Sequence, residues 1–240
     1  MQEPMWLEIK PVKNADSSLG PVLSDIESHM PDPNQYRDPR KVTWAHETTH
    51  GINSIIRNMK PGTNGFYVLK NRGFSVVEPT NYKLSDVAAA IPTPIRGMSY
   101  KLYLKDQQRY WQDNPTYPCD EWSAYTNGLN TALSFTGGDG VFSDTLQMME
   151  FMGYGLVLAT MINNEQFRLF VYWQAARNIS LANEAKKMPN LWSGDIDKLI
   201  QTWRGSDLNS IKDQLNKIYG KEDFIKVLFD GERVIDWNDW

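Results

Sequence analysis

The sequence predicts a predominantly α-helical α+β protein, and three features of its 240 residues support this class. Apolar residues recur at intervals of three and four along most of the chain, which is the spacing of one helix face. A single pair of aromatic and β-branched runs between residues 66 and 77 has the pattern of a β-hairpin. Hydrophobic residues make up 41% of the chain, which is enough to form a core at this length.

One long helix dominates the predicted N-terminal part. Residues 5–10 form a weak strand pattern, and the proline-punctuated segment 14–39 indicates a loop with one short helix near residues 22–28. The long helix is predicted over 39–59, where Pro61-Gly62 ends the apolar repeat. At its start, Asp38 is expected as the N-cap and Pro39 as the first helical residue.

The hairpin is predicted from strands 66–69 and 74–77, joined by a turn at residues 70–73. After it, the apolar spacing predicts eight helices, at residues 84–90, 98–112, 119–134, 142–162, 165–187, 195–203, 207–218 and 222–229.

The glycine-rich segment 135–140 is the best candidate for a joint between two parts of the chain. It would divide an N-terminal part, residues 1–135, from a helical C-terminal part, residues 136–240. A turn inside one continuous domain is the alternative.

Composition and charge narrow the possible partners. A net charge of −4 provides no general positive field for phosphates, so nucleic acid is not expected as a partner. The longest uncharged, mainly apolar run, residues 151–162, is shorter than the roughly 18 residues that a membrane span needs, so no membrane span is predicted. Cys119 is the single cysteine and cannot form an intramolecular disulfide.

The start of the sequence, residues 1–10, has acids and a proline where a secretory leader would carry basic and then apolar residues. Either no leader exists or it was removed before this numbering begins. The compartment and the oligomeric state stay open.

The motif that points to a metal site is His46-Glu47-Thr48-Thr49-His50, inside the predicted long helix. Histidines four residues apart on a helix project to the same side and can bind one zinc ion. Glu47 follows the first ligand and is placed to take a proton from a metal-bound water. The alternative is a helix with two surface histidines, but both lie at the border of the apolar arc, where a cleft wall would be.

A third ligand has to come from elsewhere in the chain. Asn53 and Ile56 stand where one extended form of the motif requires Gly and His, which excludes that form. Gly65 stands where an aspartate ligand would be needed after Gly-Thr, which disfavours a second form. The best candidate is Glu121, in the first turn of the helix predicted at 119–134; its alternative role is to complement the helix dipole.

With these residues the chain resembles the gluzincin branch of the zincin metallopeptidases, in which a His-Glu-x-x-His helix is completed by a glutamate from a later helix. The resemblance covers two short segments, residues 42–52 and 119–128. It implies that His46, His50 and Glu121 bind one Zn²⁺ and that Glu47 is the general base.

Two further roles follow from the resemblance. Thermolysin-like members carry an acid four residues after the ligand glutamate, and here Tyr125 stands at that place as a candidate to support a metal-bound histidine. Lethal-factor-like members use a tyrosine slightly upstream of that glutamate to stabilise the transition state, which points to Tyr117. The other candidate donors are Tyr100, Tyr103, Tyr110 and His29.

The predicted function is therefore hydrolysis of peptide bonds in a peptide or protein substrate by a metal-activated water. The hairpin is expected to offer an edge strand to an extended peptide, or to act as a lid. The alternatives are an inactive peptidase-like binding module, a structural zinc protein, and a helical interaction protein that binds no metal.

Overall fold

The computed structural model describes residues 3–34, 36–135 and 140–230. Within these ranges helices predominate over a small antiparallel sheet, which confirms the predicted mainly helical α+β class. The helices are α1 (Pro21–Ser28), α2 (Lys41–Asn58), α3 (Leu84–Ala90), α4 (Met98–Lys101), α5 (Tyr117–Ser134), α6 (Phe142–Met161), α7 (Glu165–Ala185), α8 (Gly194–Arg204), α9 (Asn209–Tyr219) and α10 (Phe224–Phe229). The strands are β1 (Leu7–Glu8), β2 (Thr63–Tyr67) and β3 (Arg72–Val77).

The start of α2 differs from the prediction. The helix begins at Lys41 with Arg40 as its N-cap, so Asp38 is not the cap and Pro39 lies outside the helix. Asp38 instead accepts a hydrogen bond from the backbone N–H of Arg40 at 2.7 Å. This local bond satisfies the aspartate before the helix starts, a use of Asp that competes with capping.

The sheet has the order β1-β3-β2, with both pairs antiparallel and Phe66 opposite Phe74. β2 begins at Thr63, three residues before the strand predicted at 66–69. The residues Thr63-Asn64-Gly65 have no apolar pattern that would predict a strand. They are buried because they pack beside α2. Gly65 permits that close approach, since a Cβ there would overlap the side chain of Ile56. The hairpin turn also comes earlier than predicted, with positive φ at Leu69, Lys70 and Asn71.

The segment predicted as one helix over 98–112 is built from three kinds of helical turn. α4 passes into a π-helix at Leu102–Asp106, and a 3₁₀ turn follows at Gln108–Tyr110. A tertiary anchor holds the start of this segment, because Ser99 N donates to the buried carboxylate of Glu150 on α6 at 2.8 Å. Such contacts override a local helical pattern.

α2 and α5 pack together closely, and α6 covers the other side of α5. α5 is buried along most of its length, and Gly128 faces α2, where an added Cβ would be in ordinary van der Waals contact with Val42 and His46. The His46–His50 motif on α2 therefore faces α5, the helix that carries Glu121.

The main hydrophobic cluster contains residues from both sides of the predicted joint. Phe74 of β3 stacks on Phe170 of α7 with ring centroids 4.6 Å apart, and Trp122 of α5 meets the same ring edge-on. Of the predicted joint, residues 136–139 lie outside the described residues.

In the described ranges, every helix is too short or too polar to cross a membrane.

The contact between α5 and α6 provides a stability test. Gly155 on α6 lies against the ring of Trp122, and an added Cβ would overlap that ring. Although alanine is the better helix former, Gly155→Ala should therefore lower the free energy of unfolding by about 1–3 kcal/mol. Urea denaturation measures this, with Gly194→Ala as the control because nothing surrounds that position. An unchanged or more stable Gly155→Ala protein would contradict the packing described.

Candidate metal centre

The side chains of His46, His50 and Glu121 converge between α2 and α5. The two Nε2 atoms lie 3.1 Å apart, and Oε2 of Glu121 lies 3.7 Å from Nε2 of His46 and 3.5 Å from Nε2 of His50. Around a tetrahedral ion with bonds of about 2.0–2.1 Å, two ligand atoms are roughly 3.4 Å apart. The three atoms thus form a triangle of the size that a zinc ion requires.

Oε2 of Glu121 has no hydrogen-bond partner among the described residues, although the side chain is only 6% exposed. Leaving a buried carboxylate oxygen unsatisfied is costly, so such an atom needs an explanation. The two Nε2 atoms beside it lie too far away for ordinary hydrogen bonds. A cation bound to all three atoms would satisfy the oxygen.

Asp120, which the sequence analysis did not identify, supports His50. Its Oδ1 lies 2.7 Å from Nδ1 of His50 and accepts a second bond, also of 2.7 Å, from Nδ2 of Asn53. A proton on Nδ1 donated to this carboxylate leaves the Nε2 lone pair directed at the centre, the arrangement by which carboxylates orient metal-binding histidines. The feature of the sequence that could have identified Asp120 is its position directly before Glu121, in the first turn of the same helix.

The two histidines differ in their electrostatic environment. Burial and the neighbouring charge of His50 lower the pKa of His46 well below its usual value, which favours the neutral form that a metal requires. Burial also acts to lower the pKa of His50, but the carboxylates of Asp120 and Glu121 outweigh it and the net shift is strongly upward. The environment thus favours the neutral form of His46 and the charged form of His50.

Tyr117 contacts a predicted ligand, but not in the role expected for it. Its hydroxyl donates to Oε1 of Glu121 at 2.6 Å, and its ring stacks on Trp111 with centroids 4.4 Å apart. The bond orients the carboxylate so that Oε2 faces the histidines. Because the phenolic proton is used in this way, the geometry favours a positioning role for Tyr117 over donation to a substrate.

Tyr125 lies beside the first histidine, with its ring edge-on to His46 at a centroid distance of 4.4 Å. Its hydroxyl is hydrogen-bonded to that of Tyr103 at 2.7 Å. Tyr125 was expected to hydrogen-bond a histidine, but in this structure it contacts His46 through its ring. Its hydroxyl is hydrogen-bonded to Tyr103 instead.

Glu47, the predicted base, is exposed and directly follows His46 on α2. Burial and the negative charge of Glu121 raise the pKa of Tyr103, the hydrogen bond with Tyr125 acts against them, and the charge of Glu47 adds a smaller upward effect. The other suggested donors are engaged elsewhere: Tyr100 donates to the carbonyl of Ala88. Tyr110 contacts Arg109 at the surface, and the buried His29 contacts Ile9 O and Asn71 Oδ1.

The outer edge of β2, expected to receive an extended peptide, is largely closed. Tyr67 N donates to Oδ1 of Asn53 at 2.7 Å, and Tyr67 O accepts from Nδ2 of Asn127 at 3.1 Å. Gly65 N donates to the side chain of Asn64 at 2.9 Å. Side chains therefore occupy the backbone groups that strand addition would use, and all of β2 is buried.

Comparisons of the chain with protein-family models, with curated proteins and with solved structures found no match. The geometry of the site is therefore the only guide to its chemistry.

The role of Asp120 can be tested through metal affinity. Asp120→Asn keeps the shape of the side chain but removes the charge that orients His50, and it should weaken zinc binding by about 10- to 100-fold. Competition with a coloured chelator measures the affinity. Asp113→Asn, an equivalent change at an exposed carboxylate paired with Lys83, should leave it unchanged. Equal affinity in wild type and Asp120→Asn would rule out this role.

Proposed function

We propose that the protein is a zinc-dependent metallopeptidase with a zincin-like catalytic unit, in which His46, His50 and Glu121 bind one zinc ion. The observation that carries the proposal is the unsatisfied, buried Oε2 of Glu121, which faces both Nε2 atoms at zinc-ligand spacing. Two imidazoles and one carboxylate form a donor set that catalytic zinc uses.

The number of ligands supports a catalytic rather than a structural ion. Among the described residues, the group contains three ligand side chains and no further His, Cys, Asp or Glu. Structural zinc sites are closed by four protein ligands, whereas catalytic sites keep a position for water. The exposed Glu47 directly follows the first proposed ligand and is available to act on a water in such a position.

When bound, zinc would acidify a water molecule and polarise the carbonyl of the scissile bond. The carboxylate of Glu47 would accept the proton of that water and later deliver it to the leaving amine. Asp120 would keep His50 in the tautomer that presents Nε2, and Tyr117 would hold Glu121. The substrate is a peptide or protein.

The metal itself is the first test. Protein purified without added zinc, or reloaded after chelation, should contain about one zinc per chain by elemental analysis, because three ligands are already assembled. His46→Ala and Glu121→Ala should each lose it, since two ligands hold zinc much more weakly. Glu184→Ala, a change at an exposed carboxylate, is the control. A wild type that takes up no zinc would refute the proposed function.

The second test addresses the base. Glu47→Gln should retain one zinc per chain but lower kcat on a quenched-fluorescence peptide library by at least about 100-fold, because the amide cannot accept the proton. Glu165→Gln, at an exposed position on α7, should behave as the wild type. Peptide cleavage that persists in Glu47→Gln at the wild-type rate would exclude this residue as the base.

A further inference from the structure

A cavity of about 600 Å³ lies between one face of α1 and the loop that precedes this helix. Residues of the segment 11–17 form the wall on the loop side, and Asn71 of the hairpin turn contributes to the lining. The helical wall consists of four residues that stand three and four positions apart and therefore share one side of α1: Pro21, Ser24, Asp25 and Ser28. The cavity is large enough for a small organic molecule.

Hydrogen bonds hold the loop against α1 on both sides of the cavity. The backbone N–H groups of Val12 and Lys13 donate to the carbonyl oxygen of Ser28, at 2.8 and 3.2 Å, and Gly20 N donates to Ser17 O at 3.3 Å. The apolar side of α1 is buried in a smaller hydrophobic cluster that also contains residues of α2. Both walls are therefore in place before any ligand binds, as in most small-molecule sites.

Several polar groups on the walls already have partners within the protein. The hydroxyl of Ser28 donates to the carbonyl oxygen of Asp25 at 2.7 Å. The ammonium group of Lys13 is bound to the carboxylates of Glu27 and Asp32, at 3.1 and 2.8 Å. Lys13 and Asp25 are the charged residues in the lining, so the carboxylate of Asp25 is the charged group left to a ligand.

Two side chains on the helical wall have hydrogen-bonding capacity that the protein does not use. Asp25 accepts through Oδ2 from the hydroxyl of Tyr67 at 2.8 Å and from Lys70 N at 3.1 Å, which fixes the orientation of the carboxylate. Among the described residues, no donor reaches its Oδ1. Ser24 is only 5% exposed, yet its hydroxyl has no hydrogen-bond partner in the described part of the chain. Because both residues line the cavity, a ligand there would complete their hydrogen bonding.

These two groups favour a positively charged hydrogen-bond donor. A carboxylate oxygen only accepts hydrogen bonds, and the serine hydroxyl can accept as well. A primary ammonium group has several donors and a positive charge, and hydrogen bonds between charged groups are the stronger ones. The rest of the lining includes apolar side chains that can contact a hydrocarbon stem: Pro11, Ala15 and Pro21.

Two other kinds of cation fit the cavity less well. Quaternary ammonium groups are typically held by aromatic rings, and the lining residues that the structure describes include no aromatic side chain. Calcium takes roughly six to eight oxygen ligands, whereas Asp25 is the single carboxylate in the described lining.

We propose that this cavity binds a small molecule that carries a primary ammonium group on an apolar stem, with Asp25 and Ser24 as the residues that hold the ammonium group. The cavity shares no described lining residue with the metal centre, so the inference does not depend on the proposed function.

The test uses hexylamine and its neutral counterpart 1-hexanol as probes. Each is titrated at neutral pH into isotopically labelled protein, and the backbone amide signals of residues 11–28 are followed by NMR. Hexylamine should bind about 10- to 100-fold more tightly than 1-hexanol, because its hydrogen bond joins two charged groups. Equal affinities would overturn the ammonium assignment, and the absence of any shift in these signals with either probe would overturn the site.

The first variant removes the charge of the carboxylate. Asp25→Asn should lower the affinity for hexylamine by about 10- to 100-fold and leave that for 1-hexanol unchanged. Asp113→Asn, at an exposed carboxylate outside the cavity, should bind both probes as the wild type does. An unchanged affinity of Asp25→Asn for hexylamine would refute the role of this residue.

A second variant is needed because Asp25 also has structural contacts. Its carboxylate binds Tyr67, and its charge acts against the burial that lowers the pKa of Arg177 to about 9. Ser24→Leu leaves these contacts in place, adds volume to the wall of the cavity, and should abolish binding of both probes. Ser210→Leu, at an exposed position of α9, is the matched control.

Hexylamine binding that persists in Ser24→Leu at the wild-type affinity would show that the probe binds elsewhere and would overturn the proposal. Calcium chloride is the third probe. Amide shifts of residues 11–28 with calcium, but not with hexylamine, would replace the ammonium site by a metal site.

Discussion

The hydrogen bond between His50 and Asp120 is the interaction on which the rest of the site depends. It joins α2 to α5 at 2.7 Å, and Asn53, one turn further along α2, donates to the same carboxylate oxygen. A buried carboxylate is tolerated only where such partners are in place, so the pairing fixes how far α5 can slide or rotate against α2. Glu121 is the next residue on α5 and is brought to the histidines by that same register.

The polar contacts extend from this junction into the sheet. Asn53 also accepts from the backbone of Tyr67 in β2, and Asn127, two turns after Asp120 on α5, donates to the carbonyl of the same residue. Two helices thus hold the end of β2 through side-chain amides. The arrangement satisfies buried backbone groups and at the same time removes a strand edge. For the proposed peptidase, this leaves side chains rather than backbone pairing at β2 to select the substrate.

Features of this structure that depend on residues close together in the sequence could be predicted, whereas features that depend on distant residues could not. The helix that carries His46 and His50 was predictable because its signals are local: apolar spacing, a proline-glycine stop and two histidines one turn apart. Asp120 was not found, because its partners lie 67 and 70 positions away in the chain. The π-helix at Leu102–Asp106 was missed for the same reason, since no local spacing encodes an anchor on Glu150.

The three tyrosines around the centre differ in role because their hydroxyl groups have different hydrogen-bond partners. A phenol has a single proton, and the acceptor of that proton decides what the side chain can do. On Tyr117 the proton is bound to Glu121, so this residue orients a ligand. Between Tyr103 and Tyr125 one bond joins two hydroxyls, so one proton is left over. Proximity to Glu121 in the sequence pointed to Tyr117 as a donor to substrate, but the acceptor of its proton is Glu121 itself, which only the tertiary structure reveals.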